Sequence, residues 1–215
     1  MMERITDAFQ LSIQGLSAGP KDAKMRVIVG ISGASGAIYG IRLLEMLREQ
    51  KSVETHLVVS KAARLTIAHE TAYSLNNVKE LADVVHKDSN LAASISSGSF
   101  KTEAMVVSPC SMKTLSGIVN CYTDNLLQRA ADVVLKERRK LILVPRESPL
   151  HSGHCKLLYK ASLLGAILAP PMPAFYNLPQ TLDDIVNHSV GRVIDLLGLD
   201  SGIVKRWRGI SQPQA

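Results

Sequence analysis

The sequence is poor in residues that several common functions require. It has three cysteines among 215 residues, Cys110, Cys121 and Cys155, and no C-x-x-C pair, so the spacing of a cysteine zinc site is missing and any disulfide scheme leaves one thiol over. We interpret all three as small buried hydrophobic residues. Aromatic residues make up only 4% of the chain, which is too little for a surface that stacks nucleic-acid bases, and the basic residues behind the net charge of +6 are scattered.

Long apolar runs and a secretory leader are also missing. No run approaches the roughly 18 residues of a membrane-spanning helix. The first ten residues carry Glu3, Arg4 and Asp7 where a leader would be apolar, so we expect a cytoplasmic protein without membrane contact. The six histidines show no metal-ligand spacing, and we expect no metal even at the nearest pair, His151 and His154.

From Met25 onward, apolar strands alternate with amphipathic helices. With 46% hydrophobic and 20% charged residues, the composition is that of a globular protein. Continuous apolar strands between helices predict a single-domain, Rossmann-like, doubly wound α/β fold, with a mostly parallel sheet and helices on both faces. We expect residues 1–24 to be a disordered extension, 25–209 the domain and 210–215 a tail.

Five apolar runs are long enough to be strands of this sheet. They read MRVIVGI, VETHLVVS, AMVVS, KLILVP and GAILAP. Helices are expected over Ala37–Gln50, from Ser60, from Ser111, over Asn125–Arg138, between the last two strands, and over Thr181–Leu197, where Thr181 and Asp184 have the spacing of a capping box.

Polar residues collect where the predicted strands end. In open α/β sheets ligands bind beyond the carboxyl ends of the strands, so residues at these exits are expected to converge on one site. Hydroxyl and charged residues follow the five strands in turn: Ser32 to Ser35, Ser60, Ser111 to Thr114, Arg146 with Glu147, and Tyr176. The pattern favours a site for phosphorylated ligands.

Two of these exits have the composition of an anion site. Gly30–Gly36 reads GISGASG between a strand and a helix, where backbone N–H groups and the helix dipole attract phosphate; a tight turn with Ser35 as N-cap is the structural alternative. NAD is disfavoured because the next strand ends at Ser60 and not at an acidic residue. Pro109–Thr114 opens a second helix with two hydroxyls, and Ser111 acting only as an N-cap is the alternative there.

Charged residues add further candidates. Arg129 and Lys136 share one face of an otherwise apolar helix. A bound anion would explain why cations lie on such a helix, and an ion pair between Arg129 and Asp132 is the structural alternative. Glu147 follows Arg146 directly at a strand exit and is a candidate acid–base group, because partial burial would raise its pKa. Structural pairing of Glu147 with an arginine is the other possibility.

Taken together, the motifs resemble the UbiX-like flavin prenyltransferases. The matching stretches are VGISGASGAIYG, ETHLVVSKAA, SSGSF, PCSMKTLSGI, RAADVVLKERR, LVPRE, PPMPAFYN and RWRG, in this order over about residues 25–209. The resemblance implies a homo-oligomer, with a dodecamer expected. It implies transfer of a dimethylallyl group from dimethylallyl monophosphate to N5 and C6 of reduced FMN, and delivery of the prenylated flavin to a UbiD-type decarboxylase. The extension departs from the family's usual start near Met25.

The resemblance also implies residue roles. FMN would contact Gly33, Ala34, Ser35, Ser60, Ser111, Met112, Lys113, Thr114 and Arg146. Dimethylallyl phosphate would contact Tyr176 and Arg192, with Arg129 and Lys136 on the phosphate side; Glu147 and Ser35 would manage protons near N5, and Trp207 would help close the pocket.

Other functions stay open beside this one. They are an FMN-dependent decarboxylase of aromatic acids such as phenylacrylate or hydroxybenzoate, and a non-catalytic FMN carrier. A cysteine decarboxylase is disfavoured because PPMPAFYN stands where those enzymes have a PxMNxxMW-type segment. We expect no divalent metal, since the adjacent pair Asp183 and Asp184 lacks the DDxxD pattern, with Asn187 at its final position.

Overall fold

A six-stranded, all-parallel sheet organises the part of the chain that the computed structural model describes, residues 24–204 and Gly209. The predicted extension up to residue 23 and the predicted roles of Trp207 and the tail lie outside the described residues. In chain order the strands are β1 (Met25–Ile31), β2 (Val53–Val59), β3 (Val84–Lys87), β4 (Ala104–Cys110), β5 (Lys140–Pro145) and β6 (Ile167–Leu168).

Helices cover both faces of the sheet. One face carries α1 (Ala37–Arg48), α2 (Lys61–Glu70), α3 (Leu75–Glu80) and α7 (Leu182–Leu197), and the other carries α4 (Met112–Val119), α5 (Leu126–Lys136) and α6 (Ser152–Leu163). Short 3-10 turns lie at Ser94–Ser96 and Phe175–Asn177. The predicted doubly wound α/β class is therefore confirmed.

The central strands are apolar along their whole length because they are buried from both sides. In β1, Val27, Val29 and Ile31 pack into the cluster under α1 and α7, whereas Ile28 packs into the cluster under α4 and α5. A strand covered on both faces has no polar side to expose, which is why its sequence does not alternate.

The last helix, α7, is apolar and buried along one face only. Val186, Val190, Val193, Ile194 and Leu197 of α7 are buried, and this spacing forms one apolar stripe on a helix. Its start is fixed by the predicted capping box, in which the hydroxyl of the N-cap residue accepts a backbone N–H at 3.1 Å.

Two expectations are wrong in detail. The sheet has six strands and not five, because β3 is a short edge strand of alternating burial that lacks a continuous apolar run. Cys110 is buried as expected, but Cys121 and Cys155 are exposed. Burial raises the pKa of the Cys110 thiol to about 12, so this thiol is inert at neutral pH.

The strand order is β3-β2-β1-β4-β5-β6. All strands are parallel, but the direction in which the chain adds strands to the sheet changes between β1 and β4. The chain runs outward from β1 through β2 and β3, then crosses back to β4 on the other side of β1. In such sheets the crevice beyond the carboxyl ends of the two central strands is the usual ligand site.

Candidate active site

A buried serine ties the two central strand exits together. Ser32 is fully buried after β1; its hydroxyl donates to the carbonyl of Pro109 at 2.8 Å and accepts the backbone N–H of Ser111 at 2.7 Å. The N–H of Ser32 also donates to Pro109 O at 3.2 Å. Ser32 therefore sets where α4 begins relative to the loop after β1.

Beside this tie lies a cleft of about 370 Å³, which we call the switch-point cleft. Five of the nine residues predicted to hold FMN line it, so most of the predicted set does converge: Gly33, Ser60, Ser111, Lys113 and Thr114. Residues that the sequence interpretation did not assign to the site complete the lining, namely Lys61, Ala62, Asp88, Asp124, Asn125 and Gln128.

Two helix starts open into this cleft. Ser60 caps α2 by accepting the N–H of Ala63 at 3.1 Å. Ser111 caps α4 by accepting the N–H of Thr114 at 3.2 Å, and it donates to the Thr114 hydroxyl at 3.1 Å. Both serines are thus N-caps and also part of the cleft. The remaining first-turn N–H groups have no partner within their helix, and Lys113 adds a positive charge, whereas Asp88 and Asp124 place acidic groups in the same lining.

Close approach of backbone shapes the same wall. A Cβ at Gly33 would collide with the Cβ of Ala62 at the start of α2. Glycine therefore lets the loop after β1 lie directly on that helix. Ala34 and Met112 are each only 9% exposed, so any contact they make with a ligand uses mainly backbone.

The start of α1 is arranged differently. Its N-cap is Gly36, at φ +95°, and not Ser35 as the structural alternative had it. The carboxylate of Glu70, at the end of α2, accepts the N–H groups of Gly36 at 2.7 Å and Ala37 at 3.4 Å. Ser35 lies beside the same carboxylate, and its hydroxyl contributes to lowering the pKa of Glu70. An internal anion therefore occupies the position where the glycine-rich segment suggested a phosphate.

Glu70 is a charged group that sequence reasoning missed. Burial acts to raise the pKa of its carboxyl, but the hydrogen bonds that it accepts and the positive charge of Arg146 more than offset that effect, so its pKa lies below the ordinary value. Glu70 is thus an anion at neutral pH. Nothing in its local sequence marks it, because it ends an ordinary amphipathic helix.

Arg146 and Glu147 follow β5 directly, and neither is among the residues that line the switch-point cleft. The N–H of Arg146 donates to the carbonyl of Cys110 at 3.2 Å, which ties the exit of β5 to that of β4. Glu147 is exposed and accepts the N–H of Ser148 at 3.1 Å. Within the described residues Glu147 forms no ion pair, so the structural alternative of pairing with an arginine has no support there.

A second, smaller space of about 120 Å³, the β5–β6 cavity, lies between the ends of these strands and α7. Arg192 lines it together with Tyr39, His188 and apolar residues such as Val144 and Val193. Tyr176 adjoins it, since its hydroxyl lies 2.9 Å from Nε2 of His188. The predicted pair Tyr176 and Arg192 is therefore brought to one place, and His188 is an addition that the sequence interpretation missed.

Arg146 acts electrostatically on two groups near the strand exits. Burial raises the pKa of the Tyr39 hydroxyl, and the charge of Arg146 opposes that rise. The same guanidinium lowers the pKa of Glu70. Tyr39 lines the β5–β6 cavity, whereas Glu70 binds the start of α1 and is not among the residues that line the switch-point cleft.

Arg129 and Lys136 lie elsewhere on the chain. Arg129 donates to the carbonyl of Ser96 at 3.2 Å and forms an ion pair with Asp132 at 2.9 Å, the alternative that the sequence left open. Lys136 pairs with its neighbour at the opposite end of α5, about 10 Å along the helix axis from Arg129. Lys136 does not reach either space of its own chain.

In the described part of the chain, no group of three or more His, Cys, Asp or Glu side chains could hold a metal ion. No helix within residues 24–204 is both long and apolar enough to cross a membrane.

Comparison with known proteins gives consistent matches. The model of the flavoprotein family matches residues 16–192. The flavin prenyltransferase UbiX of Salmonella typhimurium is 61% identical over 186 residues, which cover 86% of this chain and 98% of that protein.

Solved structures agree with the sequence relatives. AnUbiX (PadA1), crystallised in complex with FMN and dimethylallyl pyrophosphate, is 47% identical, with a TM-score of 0.86 over 87% of this chain and 100% of that one. A dodecameric FMN-dependent UbiX-like decarboxylase from Escherichia coli O157:H7 is 56% identical, with a TM-score of 0.85 over 86% of this chain and all of that one.

Proposed function

The chain belongs to the UbiX-like flavin prenyltransferases of the flavoprotein family, and we propose that its two compartments hold the two substrates of that reaction. It joins a dimethylallyl group to N5 and C6 of reduced FMN. The flavin lies in the switch-point cleft and dimethylallyl monophosphate in the β5–β6 cavity. The observation that carries this assignment is the convergence of five predicted FMN residues on the switch-point cleft, with Arg192 lining the second space and Tyr176 beside it.

The cleft has the size and chemistry for FMN. Its volume of about 370 Å³ falls within the range of small-molecule sites, about 300–1,000 Å³. The open N-terminus of α4 and the ammonium of Lys113 suit a phosphate, with Ser60 and Thr114 beside them. Gly33 lets the ligand and the α2 start approach the loop after β1. Bound there, the flavin supplies the nucleophilic N5 and C6.

The smaller cavity fits a short allyl phosphate. Val144, Val193 and neighbouring prolines give it an apolar wall for the five-carbon group, while Arg192 and the adjacent Tyr176 offer a cation and a hydroxyl for the phosphate. Fixed positive charge stabilises the leaving phosphate without reorganisation, and an apolar wall keeps water from the allyl cation.

Proton handling is assigned to Ser35 and Glu147. Ser35 lies beside the Glu70 carboxylate, just before the start of α1. Glu147 lies exposed at the exit of β5, next to the cation, where its carboxylate can accept a proton released from the flavin.

Arg129 and Lys136 stay proposed phosphate ligands, but for a neighbouring copy. Together with the Ser96 carbonyl and the adjoining Gly98, they lie on a surface away from the chain's own compartments, where Arg129 pairs with Asp132 and Lys136 with Glu137. A homo-oligomer can bring that surface to another chain's cavity, and the relative from Escherichia coli O157:H7 is dodecameric. Co-expression of Lys136→Ala and Glu147→Gln chains tests this, because some mixed sites regain both residues; activity no higher than that of either variant alone would contradict it.

We also propose that the prenylated flavin passes to a UbiD-type decarboxylase in the cytoplasm. Support comes from the family resemblance. The aromatic-acid decarboxylase and the non-catalytic flavin carrier are the competing functions.

The test is anaerobic incubation of the full chain with reduced FMN and dimethylallyl monophosphate, followed by mass analysis of the flavin. A flavin heavier by one prenyl group is expected, and a matched incubation with dimethylallyl alcohol should give none. Unmodified FMN alone would favour a carrier. Carbon dioxide from phenylacrylate, with purified chain and FMN only, would favour the decarboxylase.

A further inference from the structure

A larger space adjoins the β5–β6 cavity, between α1, the end of α2 and the start of α7. It has a volume of about 360 Å³ and a mostly apolar lining, and we call it the α1–α7 groove. Its apolar and aromatic walls include Ile38, Tyr39, Tyr73, Leu182, Ile185 and Val186. No substrate of the proposed reaction is assigned to this groove.

The last helix passes along both spaces. Ile185 and Val186 line the groove, and Ser189 and Val190, about one turn further along α7, line the cavity. Among the described residues, Tyr39 is the one that lines both spaces. The side chain of Tyr39 therefore lies where the cavity ends and the groove begins.

The ring of Tyr39 is held in this position by the start of α1. A Cβ at Gly36 would be 3.0 Å from Cδ2 and 3.2 Å from Cε2 of the ring, so the ring lies directly on the N-cap glycine. Tyr39 also packs against the buried cluster under α1 and α7. Burial raises the pKa of its hydroxyl, and although the charge of Arg146 opposes that rise, the phenol is neutral at neutral pH. The side chain is thus an uncharged wall with a fixed place between the two spaces.

The cavity has room for a short hydrocarbon group only. An apolar cavity of about 150 Å³ holds benzene, a six-carbon ring, so a space of about 120 Å³ suits five carbons and not ten. Arg192 lines the cavity and Val186 lines the groove, about 9 Å away along the axis of α7. A donor bound with its phosphate at Arg192 therefore has its hydrocarbon end on the side of Tyr39.

We propose that Tyr39 determines the length of the prenyl group that the enzyme transfers. Its ring closes the end of the cavity, admits dimethylallyl monophosphate and excludes geranyl monophosphate, whose second five-carbon unit would have to enter the α1–α7 groove. The proposal rests on the proposed function, because it concerns the donor site described there. Tyr39 selects the donor by its size and takes no part in the chemistry of transfer.

The groove suits the additional carbons once the ring is removed. Ile38, Ile185 and Val186 supply aliphatic walls for a longer chain. Glu70 and Asp183 belong to the same lining and repel a phosphate, so the hydrocarbon end of a donor is the end that fits there. One methylene group in a hydrophobic pocket changes kcat/KM about 10- to 200-fold. The wild type should therefore disfavour geranyl monophosphate by about a hundredfold or more.

The experiment offers the two monophosphates in turn to the full chain with reduced FMN. The measurements are the mass of the flavin product and the ratio of kcat/KM for the geranyl donor to that for the dimethylallyl donor. Tyr39→Ala should raise this ratio at least about tenfold and give a flavin that carries a ten-carbon group. Tyr39→Phe keeps the ring and should keep the wild-type ratio. Tyr73→Ala is the matched control with the same expectation, because Tyr73 lines the groove and is not among the described residues that line the cavity.

Donor affinity by calorimetry separates this proposal from the proposed function. If the wild type binds dimethylallyl monophosphate but prenylates no flavin, the function fails, and the ratio is read from the two dissociation constants. If the wild type prenylates FMN but Tyr39→Ala keeps its ratio, the function stands and the proposal is wrong. An equal rise in Tyr39→Phe or Tyr73→Ala also overturns the proposal, as does a wild type that uses both donors equally. A wild type that binds neither donor overturns both.

Thermal midpoints and FMN titrations identify a misfolded variant. Should Tyr39→Ala fail to fold, Tyr39→Leu decides, because it shortens the wall but keeps an apolar side chain against the core. Its ratio should rise in the same direction by a smaller factor, and a wild-type ratio in this variant overturns the proposal.

Discussion

Ser32→Ala should weaken both the fold and the flavin site. The substitution removes one buried hydroxyl and nothing else. That hydroxyl accepts the N–H of Ser111 at 2.7 Å and donates to Pro109 O at 2.8 Å. Pro109 O keeps a second donor, the N–H of residue 32, at 3.2 Å. The N–H of Ser111 has no such substitute within the described residues.

The expected loss of stability follows because the Pro109 carbonyl keeps a donor, whereas the N–H of Ser111 loses its acceptor. An orphaned buried donor costs about 1–3 kcal/mol, and the lost bond to Pro109 adds a further fraction, so we expect a loss of about 2–3 kcal/mol. For a chain of this size, that corresponds to roughly 4–12 °C in the thermal midpoint. Because Ser111 begins α4, the first-turn N–H groups should also lose their alignment, and FMN should bind at least about tenfold more weakly.

Urea unfolding and flavin titration measure the two effects. Ser189→Ala is the matched control, since its hydroxyl donates at 2.9 Å to the carbonyl of Ile185 within the same helix and its removal should cost less than about 0.5 kcal/mol. If Ser32→Ala matches Ser189→Ala in stability and keeps wild-type FMN affinity, Ser32 does not tie the two exits together as described.

Four further results are expected. Arg146→Ala should weaken FMN binding roughly ten- to a hundredfold by titration, and unchanged affinity would remove Arg146 from the site. Glu147→Gln should bind FMN normally yet form little prenylated flavin, because an amide cannot exchange the proton; near-normal turnover would contradict its role. Turnover should survive EDTA and favour the monophosphate over the pyrophosphate, whereas rescue by magnesium after chelation would refute the cationic site. Burial, together with His56, lowers the pKa of His86, so the unfolded chain binds protons more readily and the free energy of unfolding should fall as pH drops below about 6.5. His86→Gln should flatten that fall in urea titrations, and an unchanged slope would show that another group causes it.

The order of strands and helices could be predicted because the core strands are buried from both sides. A strand such as β1 is then apolar throughout, and the helix that follows it has apolar residues along one face. The exits of these strands were also predictable. Ser60 and Ser111 stand directly after strands and begin helices, so local sequence alone places them at the same edge of the sheet.

The short edge strand could not be found in that way, and a site residue was lost with it. β3 alternates in burial over four residues and gives no apolar run. Asp88 follows it directly and lines the switch-point cleft, where burial raises the pKa of its carboxyl. Without the strand, nothing identified Asp88 as a residue at a strand exit.

Glu70 and His188 were missed for another reason. Each contacts a partner that is distant in sequence or lies across a turn: Glu70 contacts Gly36, 34 residues away, and His188 contacts Tyr176. Both lie on ordinary helices, and only the packing of one helix end against another element gives them their roles. The sequence pattern predicts which face of a helix is buried, but it does not predict which polar side chain contacts the terminus of another helix.

The start of α1 explains why this fold binds a mononucleotide. The strand order is that of dinucleotide-binding sheets, in which the helix after the first strand receives the pyrophosphate at its N-terminus. Here the N–H groups of Gly36 and Ala37 already bind the ionised carboxylate of Glu70. A pyrophosphate at that position would meet a like charge instead of free donors. The open helix start is that of α4, one strand across the sheet, and it offers room for a single phosphate beside Lys113. We therefore propose that the fold keeps its dinucleotide-type topology and places its phosphate site one strand across, at the start of α4.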